Sequence, residues 1–137
     1  MGGFEGSAAL LVGVGNVKRA ARAKFSEAAN GVRLAVRESS SFAVHVPAAA
    51  AVLLAAALLG CDPLEWCLLI GCIGAVLAAE VFNASVETLF HALDDAAKAR
   101  MTGCLDRAAG AVLVASGTAT VIGTIILGRR FLLAVGG

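Results

Sequence analysis

Glu80, Asn83 and Glu87 stand three and four residues apart inside a strongly apolar run, so one face of a helix carries all three. A carboxylate in hydrocarbon costs about 2.5–3.5 kcal/mol on insertion scales and marks a functional position by default. Desolvated, Glu80 suits a general base that takes the proton of an alcohol. Glu87, nearer the end of the run, suits a cation that arrives from water, and Asn83 adds a polar group between the two.

These residues need a membrane helix to hold them. The chain has 137 residues, 59% hydrophobic and 15% charged, more apolar surface than a soluble domain of this size could cover. An all-α integral membrane fold is expected, with an amphipathic surface helix over about 17–40 and spans over about 42–60, 66–86 and 108–128. Residues 1–16 read as a disordered or loosely attached leader, and 17–137 as one membrane domain. In the surface helix, Lys18, Arg19, Arg22, Lys24, Arg33 and Arg37 interleave with Val17, Ala21, Phe25, Ala28, Val32 and Val36, the pattern of a helix lying among headgroups, with Asn30 and Gly31 as a candidate kink.

Pro47 falls in the first turns of the first span, where a missing N–H is best tolerated, and Trp66 opens the second at the interface. Gly71, Ala75, Ala79, Asn83 and Glu87 recur at fours, as do Ala111, Ala115, Ala119 and Gly123 in the third span. Small residues at this spacing let helices approach closely, so the polar face is expected to meet protein. Cys61, Cys67, Cys72 and Cys104 form no CxxC pair and read as small buried residues.

Lysine and arginine counts place the amino terminus and the link between the second and third spans in the cytoplasm, with Arg129 and Arg130 dissenting. A net charge of +1 without a basic run gives no footprint for nucleic acid. At about 1.5 Å per residue, Glu80 lies about 21 Å and Glu87 about 31 Å from Trp66, against a hydrocarbon core about 30 Å thick. Glu87 therefore sits near the cytoplasmic surface and Glu80 about two turns deeper. Asp106 opens the third span at the same level. Three carboxylates and an amide where a lipid hydroxyl and a nucleotide can both reach suit phosphoryl transfer, with Mg2+ bridging phosphate oxygens. The chain contains no GxxxxGK[ST] segment, so ATP would be held without a P-loop.

Glu80-Val81-Phe82-Asn83-Ala84-Ser85-Val86-Glu87 resembles the E-x-x-N-[ST]-A-[IV]-E signature of bacterial diacylglycerol and undecaprenol kinases. The segment from Asp106 to Val114 resembles the opening of that family's third helix, at the family's spacing from Glu87. Phe25-Ser26-Glu27-Ala28-Ala29-Asn30-Gly31, Phe42-Ala43-Val44-His45 and Glu65-Trp66 are further echoes. The resemblance implies a multi-pass protein of the bacterial inner membrane, a homotrimer that phosphorylates a lipid alcohol such as diacylglycerol or undecaprenol with ATP and Mg2+. By position it makes Glu80 the catalytic base, Glu87 a metal ligand, and Asn83 and Asp106 nucleotide-side residues.

The family's metal-sharing glutamate aligns with Ser39, with Glu38 one residue earlier, and the family's lysine before the aspartate is Leu105 here. His91 and Ala84 also depart from the pattern. Lys98 and Arg100 are the candidates to supply nucleotide-binding charge in place of that lysine, beside Arg107. Two other classes compete: a non-enzymatic or catalytically degenerate trimeric membrane protein, and an ion-conducting subunit in which Glu80 carries protons.

Overall fold

In a computed structural model that describes residues 4–136, with side chains from Arg19 onward, the chain is built of helices: α1 (Phe4–Glu38), α2 (Phe42–Leu58), α3 (Pro63–His91), α4 (Asp95–Arg100) and α5 (Cys104–Val135). Two units are distinguished, residues 1–34 and residues 35–137. In the first, α1 passes through Asn30 and Gly31 without a break, and the helix already runs from Phe4 through most of the segment expected to be a loose leader. Its described side chains are exposed, including Phe25 at 78% and Val32 at 49%. A basic helix that leaves apolar groups uncovered has the character of an interfacial amphipathic helix.

The second unit is a bundle in which α3 packs chiefly on α5 and also on α2. At about 1.5 Å per residue, α3 is about 44 Å long and α5 about 48 Å, each more than the hydrocarbon thickness. Both are long and apolar enough to cross a membrane. The 17 residues of α2 make about 26 Å, just under that thickness, so the described residues carry two candidate spans, or three if the end of α1 and α2 count together as one broken span.

The start of α3 is specified locally. Asp62 caps it: the Glu65 N–H donates to Asp62 Oδ1 at 3.0 Å, and the Asp62 N–H donates to Glu65 Oε2 at 2.9 Å. Pro63 occupies the first turn, where it withholds no helical hydrogen bond. That backbone donor, more than the nearby guanidinium, holds the Asp62 carboxyl below the ordinary carboxylate range. Before it, Gly60 turns the chain at φ 64°, and Gly103 does the same before α5 at φ 74°; both angles suit glycine.

Arg130, near the end of α5, closes this end of the bundle. Its Nε donates to Glu65 Oε2 at 2.7 Å and its Nη2 to Asp62 Oδ2 at 3.0 Å, while Arg129 Nη1 lies 3.7 Å from Glu65 Oε1. The two arginines that dissented from the charge count thus face the carboxylates of the α2–α3 turn. Beside this lock, Ala56, Leu69 and Ile126 form the buried core, with Val52, Trp66, Ile122 and Leu127 packed against it. Trp66, expected at the interface, is partly buried against that core.

The close-packing ridge is only half realised within the chain. Gly123 meets Leu69, but Gly71 and Ala75 are exposed and nothing lies within 4 Å of where a Gly71 side chain would begin. The buried face of α3 runs instead through Glu65, Leu69, Val76, Glu80 and Asn83.

Candidate functional site

The same buried face carries the polar residues inward at the other end of the bundle. Glu80 is 2% exposed, and its Oε1 lies 2.9 Å from Nε2 of His45 in the second turn of α2. Its Oε2 is buried and has no partner among the described residues. Asn83 is also buried; its Nδ2 donates to Glu87 Oε1 at 2.9 Å, and its Oδ1 is likewise without a partner among those residues. The expected stripe therefore divides into two units, Glu80 with His45 and Asn83 with Glu87.

Two buried acceptors without donors are costly, roughly 1–3 kcal/mol each, more for a charged group. Such a cost is commonly retained where the free oxygen has work to do. Glu80 Oε2 is free to accept an O–H proton, and Asn83 Oδ1 to accept a donor or meet a cation.

Beside His45, a cavity of about 160 Å³ runs between α2, α3 and α5. Val52, Leu69, Val76 and Ala119 make its wall apolar, with Ser116 and Thr120 among its few polar groups. A void of this size lined by hydrocarbon takes hydrocarbon more readily than water.

The remaining expected residues lie at the turns. Glu38 ends α1 and is exposed, and half-buried Ser39 follows it in the turn to α2; both line an open depression with Arg37, Ser40 and Phe42. Asp106 is exposed in the first turn of α5, Lys98 is half-buried in α4, and Arg100 is exposed there. Arg107, the third candidate for replacement charge, donates from Nε to the Gly103 carbonyl and from Nη2 to the Thr102 carbonyl, each at 3.1 Å. It is thus occupied in fixing the turn.

Among the described residues, no three His, Cys, Asp or Glu side chains gather to hold a metal ion, so Glu87, Glu38 and Ser39 are not assembled into a metal site within the chain. His45 is the residue that sequence reasoning missed. Its signal was an ionisable side chain in the opening turns of an apolar span, at the end of the Phe42 to His45 echo.

Comparison with known proteins agrees with this region. A family model described as prokaryotic diacylglycerol kinase matches residues 26–127, which takes in the end of α1, all of α2 to α4 and most of α5. An undecaprenol kinase of Bacillus subtilis (strain 168) is 29% identical over 102 residues, covering 74% of this chain and 83% of that protein. No solved structure matches the chain.

Proposed function

Given that the chain belongs to the prokaryotic diacylglycerol kinase family and is a membrane lipid kinase, we propose that it transfers the γ-phosphate of ATP to the primary hydroxyl of diacylglycerol or undecaprenol. The observation that carries this reading is Glu80, a buried carboxylate with one oxygen held by His45, which itself lines an apolar cavity, and one oxygen free among the described residues. Glu80 takes the hydroxyl proton through Oε2 as the alcohol oxygen bonds to the γ-phosphorus, and the bond to the β–γ bridging oxygen breaks to release ADP.

Phosphoryl transfer by a kinase ordinarily needs a divalent metal, and the oxygen donors here are of the type that Mg2+ takes, although the described residues of one chain do not gather them. That ion keeps several waters and takes one or two carboxylates plus the phosphates, so it does not require a cage of protein ligands. Glu87, its Oε1 fixed by Asn83, is the first candidate ligand, with Glu38 and Ser39 as the second position. When bound, Mg2+ neutralises charge on the phosphate oxygens. Asn83, Asp106, Lys98 and Arg100 then face the nucleotide.

The reading also places the chain as a homotrimer in the bacterial inner membrane with its amino terminus cytoplasmic. The lysines and arginines of α1 and of the α3–α5 link support that orientation, against Arg129 and Arg130, which pair with Glu65 and Asp62 at the opposite end of the bundle. Incubating the protein in vesicles with γ-labelled ATP and Mg2+ tests the reading. A labelled lipid that disappears on chelation supports it, and no label in either alcohol with folded protein overturns it.

A further inference from the structure

The two oxygens of Glu80 are not equivalent. Oε1 lies 2.9 Å from His45 Nε2, whereas Oε2 is buried and has no partner among the described residues. His45 is three-quarters buried, stands one turn into α2 with Pro47 just beyond it, and lines the cavity between α2, α3 and α5. One imidazole therefore touches both the carboxylate and the space beside it. A buried carboxylate on a helix has a free χ3 torsion, and without a second contact its two oxygens would exchange places.

We propose that His45 is the positioning residue of the reaction. Its Nε2–H donates to Oε1, fixes the carboxylate plane and leaves Oε2 as the one oxygen able to receive the lipid hydroxyl proton. This division of labour rests on the kinase reading above. A donor at Nε2 is available in the neutral imidazole as well as in the imidazolium.

His45 does not touch the nucleotide in this arrangement, so its loss acts on the chemical step rather than on ATP affinity. Removing a group that orients a reacting residue commonly costs about 10- to 100-fold. His45→Leu should lower kcat by about that factor with KM for ATP within about threefold of wild type, while His45→Gln, which retains an N–H donor at similar reach, should recover most of kcat. Equal kcat in wild type and His45→Leu overturns the proposal, as does a loss in His45→Gln as deep as in His45→Leu.

A second measurement does not depend on activity. The chain has two histidines, His45 and His91, so nitrogen NMR of 15N-histidine protein in lipid, assigned with His45→Gln, reads the His45 tautomer directly. A protonated Nε2 whose shift changes in Glu80→Leu supports the donor role. An unprotonated Nε2, or a shift indifferent to Glu80→Leu, refutes it even if no lipid is phosphorylated. Absence of lipid labelling by wild type, with the NMR signature intact, refutes the kinase reading and leaves the hydrogen bond established.

Discussion

Glu80→Gln separates chemistry from stability, because the two should move in different directions. The amide keeps the shape of the carboxylate and an acceptor for His45, but it cannot take a proton from an alcohol. Loss of a general base costs about 100- to 10,000-fold, or about 2.7–5.4 kcal/mol of barrier at 1.36 kcal/mol per tenfold. On the stability side, the substitution weakens one hydrogen bond, since a bond to a charged group contributes about 1.5–3 kcal/mol and a neutral one about 0.5–1.5 kcal/mol. It also removes a buried charge whose second oxygen has no donor, and that relief is of similar or greater size. Unfolding free energy should therefore be unchanged or higher by up to about 2 kcal/mol. Lipid phosphorylation and detergent-induced unfolding measured on one preparation decide the matter. Activity within tenfold of wild type, or a protein less stable by more than about 1 kcal/mol, would refute the reasoning.

Leu69→Ala opens a void between Ala56 and Ile126; because an unfolded helix in a bilayer keeps its leucines in lipid, the transfer contribution largely cancels and the cavity contribution remains, about 1–3 kcal/mol in an unfolding titration. Asp62 has a depressed pKa in the folded state, so the stability it contributes is present above its ordinary pKa and lost as pH falls through the folded value. Unfolding midpoints should be flat near neutrality and drop in acid, and Asp62→Ala should flatten part of that drop.

Much of this organisation was legible in the sequence because it is local. Asp62, Pro63 and Glu65 start α3 by rules that operate within one turn, and apolar runs long enough to cross a bilayer announce α3 and α5. Glu80 and Asn83 stood out because a carboxylate or an amide side chain in hydrocarbon needs a reason.

What stayed hidden depends on which helix faces which. A ridge of small residues and the Leu69, Val76, Glu80, Asn83 face share the same three-and-four spacing, and periodicity alone does not say which one the chain buries. The His45–Glu80 contact joins α2 to α3, and Arg130 joins the end of α5 to the start of α3. Neither partner carries a mark of the other in the sequence. A charge count therefore read Arg129 and Arg130 as dissent, whereas the fold sets them against Asp62 and Glu65.

The central claim is a transfer of phosphate from ATP to lipid, and its most direct measurement is a simultaneous count of ADP and lipid phosphate from one reaction in vesicles containing diacylglycerol or undecaprenol. Equimolar ADP and phosphorylated lipid, both abolished in Glu80→Gln, is the predicted result. ADP without lipid phosphate, or neither product from folded protein with both alcohols, would contradict it.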